Sequence, residues 1–160
     1  MEYRVLGTTG MSVSTFALGT MMFGAWGNPD AAECTAMVHC ALDAGINLVD
    51  TADVYDQGRS EEILGAALAG RHDDVVVATK VFNPMGDDPN RRGASRRWII
   101  RACEESLRRL RTEWIDLYQV HRLDEGTELD QTLSALSDLV HQGKVRAIGT
   151  SASTPRARTE

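Results

Sequence analysis

Apolar and polar positions along this chain follow two alternating periods. Short apolar runs at residues 16–20, 46–50, 75–80, 115–121 and 145–151 read as buried strands. The β-branched run 75–80 shows no polar alternation, which suits a parallel strand covered on both faces. Between the runs, apolar residues recur three and four positions apart. Met37, Val38, Ala41 and Leu42 form one stripe, and Ile63, Leu64, Ala67 and Leu68 a second. A third runs through Ile99, Ala102, Cys103, Ser106, Leu107 and Leu110, and a fourth through Leu133, Leu136, Leu139 and Val140. Helix punctuation brackets each stripe. Asp30, Ser60, Ser95 and Thr127 stand where N-caps are expected, with Asp30 and Glu33 in a capping-box pattern. Gly45, Gly70 and Gly143 stand at the stops. Ahead of the first run, segments 3–6 and 11–14 flank Gly7-Thr8-Thr9-Gly10 and predict a small hairpin.

Strands that alternate with helices predict a parallel sheet carrying its helices outside. Two architectures fit: an open doubly wound sheet, or part of a (β/α)8 barrel, which needs about 250 residues and eight strands. One connection, residues 82–93, is long and polar with two prolines, and loops of that length are often functional.

Composition narrows the function classes. The net charge of -6 argues against a nucleic-acid partner. Arginines gather between 91 and 111, but Glu104, Glu105 and Glu113 are interspersed. Arg97, Arg101, Arg108 and Glu105 are therefore expected to face water, and Arg91 and Arg92 to be solvated. No apolar run reaches the length of a membrane span and the N-terminus carries no signal-peptide core, so a cytoplasmic protein without a membrane partner is expected. Cys34, Cys40 and Cys103 lie within helical patterns and read as reduced, half-buried core thiols. His39, His72 and His141 read as packing or surface residues, and Asp53 as serving the turn before Tyr55.

Candidate chemistry gathers at the strand ends. Asp50, Lys80 and His121 each close an apolar run, and Tyr55 follows Asp50 by five residues. Parallel α/β folds put all strand C-termini on one face, so these four converge. A free phenol, with a pKa of about 10, is a poor proton donor near neutrality. A neighbouring ammonium favours the phenolate, a carboxylate steadies the ammonium, and a neutral imidazole can polarise a carbonyl oxygen. The set describes proton delivery to a carbonyl oxygen as it becomes an alkoxide. Side chains cannot deliver hydride, so a nicotinamide cofactor is implied, and with no G-x-G-x-x-G it is not held in the Rossmann manner. No H-x-H or paired carboxylate set supports a metal-dependent hydrolase built on Asp50 and His121, and no metal is expected.

The motifs around these residues resemble the aldo-keto reductase family. Leu18-Gly19-Thr20-Met21, the stretch 45–61 with its Asp50-Thr51-Ala52-x-x-Tyr55 core, and Ala78-Thr79-Lys80 carry the likeness. So do Ser106-Leu107-x-x-Leu110, Asp116-Leu117-Tyr118-Gln119-Val120-His121 and the segment 143–149, together spanning residues 3–151. The opening Tyr3-Arg4-x-Leu6-Gly7-x-x-Gly10 is similar to the bacterial branch akin to potassium-channel β-subunits. The resemblance implies a partial (β/α)8 TIM barrel: an N-terminal hairpin plus the first five parallel strands and four helices. It implies reduction of a small-molecule carbonyl substrate with NADPH, NADH being the alternative. Tyr55 would be the proton donor, Lys80 its activating partner, Asp50 the partner of Lys80 and His121 the group orienting the carbonyl. Gly19, Thr20, Met21, Asp50 and Ser151 would contact the cofactor. Trp26 would line the substrate mouth, although Met21, Met22 and Trp26 equally suit rim packing.

The pattern changes after Ser151. Residues 152–160 are small, polar and Arg/Thr-rich and read as a disordered tail. The expectation is a truncated or frame-shifted gene product. Its alternative role is an inactive half-barrel that self-associates or pairs with another protein through open sheet edges.

Overall fold

The computed structural model describes residues 1–122 and 124–151. The expected tail, 152–160, lies outside the described residues. Strands β1 (Tyr3–Val5) and β2 (Ser12–Ser14) form the hairpin, with Tyr3 opposite Ser14. The hairpin is latched to the segment ahead of the second run. Tyr3 Oη donates to Gly45 O at 2.9 Å, Ser14 N–H to Asn47 Oδ1 at 2.7 Å, and Asn47 Nδ2 to Ser12 O at 3.0 Å. These bonds place it at the end of the sheet opposite Asp50.

The rest alternates strictly. It runs β3 (Ala17–Gly19), α1 (Ala31–Asp43), β4 (Leu48–Asp50), α2 (Arg59–Ala67), β5 (Val76–Val81), α3 (Arg96–Leu110), β6 (Ile115–Val120), α4 (Leu129–His141) and β7 (Val145–Thr150). All five strands are parallel and lie in sequence order, β3-β4-β5-β6-β7. A doubly wound sheet needs a point where strand order reverses, and none occurs here. With uniformly right-handed crossovers, sequential order puts every helix on the same side of the sheet.

The pleat sorts the strand residues into two sets. Val49, Val77 and Tyr118 face the helices and are at most 1% exposed. With Val38, Ile63, Leu64, Trp98, Ile99 and Leu139 they build the core. The opposite face carries one register row, Gly19-Asp50-Ala78-Leu117-Ala147, and next to it Lys80-Gln119-Gly149.

Local signals explain most helix ends. Asp30 caps α1, accepting from Ala32 and Glu33 N–H, while Ser95 Oγ accepts from Trp98 N–H and caps α3. The capping box is only half made, because Glu33 accepts from Asn28 Nδ2 instead of reaching back. Gly45, at φ +87°, closes α1: its N–H reaches Leu42 O and Ile46 N–H reaches Ala41 O. Gly143 closes α4 with the same pair of bonds, to Val140 O and Leu139 O.

Other expectations are overturned. Ser60 is not a cap. Two left-handed residues, Asp56 and Gln57, and then Gly58 at φ +95° wind the chain into α2 two residues earlier, which buries Ser60 inside the helix. Thr127 lies two residues before the start of α4, where Glu128 is the N-cap, and its hydroxyl donates to Asp124 Oδ2 at 2.8 Å. The buried face of α4 is Thr132, Ala135, Leu136 and Leu139, so Leu133 and Val140 point outward. Met37 is likewise exposed, because α1 turns Cys34 and Val38 to the core. β3 is an edge strand and only Leu18 of its residues is half-buried. Cys40 is exposed, while Cys34 and Cys103 are buried; all three are free, and burial pushes the Cys103 thiol up to about 12. Glu105 does not face water. It is buried and takes ion pairs from Arg91 at 2.7 Å and Arg101 at 3.0 Å, and Arg91 also lies over the Trp98 ring. Among the described residues no helix is long and apolar enough to cross a membrane.

Helices α2 and α3 meet almost backbone to backbone at Gly65. A Cβ there would stand 2.5 Å from Arg109 O and 2.6 Å from Leu110 C, atoms that cannot rotate away. Gly65→Ala is therefore expected to cost about 1–3 kcal/mol, read as a lower denaturant midpoint at unchanged slope.

Candidate active site

The inner pleat brings Asp50, Lys80 and His121 to one end of the sheet. Asp50 is the last residue of β4, Lys80 the penultimate residue of β5, and His121 follows β6. Lys80 is almost wholly buried, and its ammonium is held by three oxygens. It donates to Asp50 Oδ2 at 2.5 Å, to Thr51 O at 2.8 Å and to Tyr55 Oη at 3.3 Å. Burying an ammonium is costly without such partners, and the half-exposed Asp50 carboxylate supplies the charge.

Tyr55 sits at the first turn beyond β4, its N–H bonded to Ala52 O at 3.2 Å. Its ring meets the His121 ring edge to face, with centroids 6.2 Å apart at 81°. Phenol, ammonium, carboxylate and imidazole thus share one small volume. Burial, and then the Lys80 and Arg122 cations, hold His121 below the ordinary histidine value, while Asp50 opposes them. The imidazole is therefore neutral near pH 7.

The remaining predicted residues divide. Gly19 is exposed, and nothing lies within 4 Å of where a Cβ would stand, so its backbone is open to a ligand. Met21 is exposed on the same rim, with Met22 and Trp26. Ser151 is exposed beside the β6 end, its N–H bonded to Val120 O at 3.0 Å. Thr20 is fully buried instead, with its hydroxyl 2.8 Å from Ser60 Oγ.

Several residues at the site carried no prior assignment. Gln119 lies two residues before His121 on the same pleat face, and its amide donates to Asp50 Oδ1 at 3.5 Å. The alternation of β6 could have found it. Asn83 contacts His121 through its side chain at 3.1 Å. Asp56 Oδ2 accepts from Ala25 N–H at 2.8 Å and ties the Met/Trp loop to the Tyr55 turn. Asp53 is buried beside that turn, its carboxyl without a well-aligned hydrogen bond among the described residues; burial, then Glu61, push it well above the usual carboxylate range, while Arg109 and Val54 N–H oppose them. His39 and His72 pack as expected, with Nε2 at Ala67 O and Leu110 O, and His141 stays on the surface of α4.

Comparisons with known proteins bear on the family and the fold. The family model described as "Aldo/keto reductase family" matches residues 15–159. Aldo-keto reductase YhdN of Bacillus subtilis is 41% identical over 155 residues, covering 94% of this chain and 47% of that protein. A probable voltage-gated potassium channel subunit beta of Arabidopsis thaliana is 37% identical over 167 residues, covering 100% of this chain and 49% of its own length. Among solved structures, the holo form of aldo-keto reductase AKR11C1 from Bacillus halodurans superposes with a TM-score of 0.89 at 36% identity. That match covers 98% of this chain and 52% of the other. The chain spans about half the length of these relatives, and its singly wound sheet is a partial (β/α)8 barrel. On its matched sequence and its five-strand arc, the chain belongs to the aldo/keto reductase family.

Proposed function

We propose that these residues carry out the reduction of an aldehyde or ketone to an alcohol, with Tyr55 as the acid and NADPH as the reductant, NADH being the alternative. The observation that carries this reading is the Lys80 ammonium, fixed between Asp50, Thr51 O and Tyr55 Oη. As a carbonyl oxygen gains negative charge, Tyr55 gives it the phenolic proton, and the adjacent Lys80 charge stabilises the phenolate left behind. Asp50 keeps the ammonium in place. Neutral His121 donates to the carbonyl oxygen and fixes its direction.

The residues present fit a nicotinamide. Gly19 leaves bare backbone, Met21 an exposed apolar side chain, and Asp50 and Ser151 polar groups on the same end of the sheet. Gly19 and Met21 would hold the ring and Asp50 and Ser151 its polar groups, with Thr20 fixing the loop from beneath. The bound cofactor would supply the hydride. The three free thiols support a reducing, cytoplasmic setting.

The test is loss of NADPH absorbance on adding an aromatic aldehyde to the purified chain. Saturable, aldehyde-dependent oxidation is expected. A folded sample that oxidises no cofactor with any of a panel of aldehydes and ketones would overturn the reading for this chain.

A further inference from the structure

We infer that Asn83 is a positioning residue for His121, its side-chain amide locking the imidazole in the tautomer that presents Nε2–H to the site. Asn83 Nδ2 lies 3.1 Å from His121 Nδ1. An amide nitrogen carries only donors, so Nδ1 must accept. A neutral imidazole has one N–H, which is then on Nε2. The catalytic consequence rests on the carbonyl-reduction reading: Nε2–H can donate to a carbonyl oxygen, whereas the other tautomer would turn a lone pair toward it.

The backbone fixes the contact. Val81 and Val120 are register partners, and His121 N–H donates to Val81 O at 2.9 Å. Asn83 and His121 therefore leave adjacent strand ends at a set spacing. The loop carrying Asn83 is pinned on itself, Gly93 N–H to Phe82 O at 2.7 Å and Met85 N–H to Arg91 O at 2.9 Å. Pro84 follows Asn83 and restricts it to extended backbone, so little freedom remains to be lost on making the bond. Lys80 on β5, Arg122 beyond β6, Asp50 on β4 and Tyr55 beyond β4 are the ionisable groups facing the imidazole. Among the described residues none of these groups hydrogen-bonds to Nδ1, so tautomer choice falls to Asn83.

The experiment is a two-bond proton–nitrogen correlation on the chain labelled with 15N-histidine, recorded above the titration of His121. His121→Gln assigns its signals against those of His39, His72 and His141. The unsubstituted chain is expected to show a protonated Nε2 and an unprotonated Nδ1 at His121. Asn83→Asp, nearly isosteric in a half-buried loop, replaces the donor with a carboxylate acceptor. It should invert the pattern to Nδ1–H and raise the titration midpoint. Asn83→Leu should give averaged signals from mixed tautomers. A protonated Nδ1 in the unsubstituted chain, or an Asn83→Asp spectrum and midpoint identical to it, would overturn the assignment. The readout needs no turnover, so an inactive chain with the Nε2–H tautomer counts against the reductase reading and not against this one.

Discussion

Tyr55→Phe is expected to lower aldehyde reduction by about 10²–10⁴-fold, the range ascribed to a positioned proton donor. The loss should fall on kcat with little change in KM, because the phenol's proton is needed only as charge develops on the oxygen. Lys80→Met should produce a loss of similar size for a different reason. It removes the cation 3.3 Å from Tyr55 Oη and leaves Asp50 without its partner. Since the phenol and the ammonium act as one unit, the double substitution should be barely worse than either single one. Steady-state rates for the four proteins make the check. Additive losses would mean that Lys80 and Tyr55 work independently, and a Tyr55→Phe protein retaining most of its turnover would remove Tyr55 from the chemistry.

The site was legible where period and position coincide. Asp50, Lys80 and His121 close three apolar runs, and a parallel sheet has one C-terminal end, so their convergence follows from alternation alone. The pleat adds that they share a face, which would also have named Gln119. Sequential strand order was not legible from alternation, because barrel and doubly wound sheets are written in the same βα pattern; the resemblance of the motifs to a barrel family supplied it.

Burial of charge was the other hidden quantity. Glu105 reads as a solvated helix residue in an Arg-rich stretch. Its partners Arg91 and Arg101 lie fourteen and four positions away, and only the folded loop brings Arg91 over Trp98. Ser60 reads as a cap for a related reason: serine satisfies backbone locally when exposed, and Ser60 does not do so once the left-handed Asp56-Gln57-Gly58 turn carries it into the helix. The face of α4 was misjudged by one position, a rotation that helical spacing cannot resolve when Thr132 replaces Leu133 at the interface.

The largest stability effect is expected at Arg109→Met. Arg109 Nε donates to Glu61 Oε2 at 2.7 Å, and Glu61 is wholly buried. Glu61 Oε1 accepts from Thr79 Oγ1 at 2.6 Å, so one carboxylate joins α2, β5 and α3. Removing the cation strands a buried charge, a loss of about 3–5 kcal/mol. Glu61→Met combined with Arg109→Met should recover most of it, because no buried charge is left stranded and the Thr79 hydroxyl loses only a neutral donor's bond. The deficit should also grow with pH. Asp53 sits well above the usual carboxylate range because of burial and then Glu61, with Arg109 opposing. A carboxyl whose folded value is raised contributes stability that is complete below its unfolded value near 3.8 and is lost as pH rises through the folded value. Without Arg109 that folded value rises further, so alkaline solution penalises the variant more than the parent. Denaturant midpoints at acid and alkaline pH decide the matter. A midpoint close to the parent's at both would mean that Glu61 finds another partner. Arg109 also lies against Gly58, where a Cβ would stand 2.6 Å from its Cδ, so the same substitution should loosen the turn that carries Tyr55.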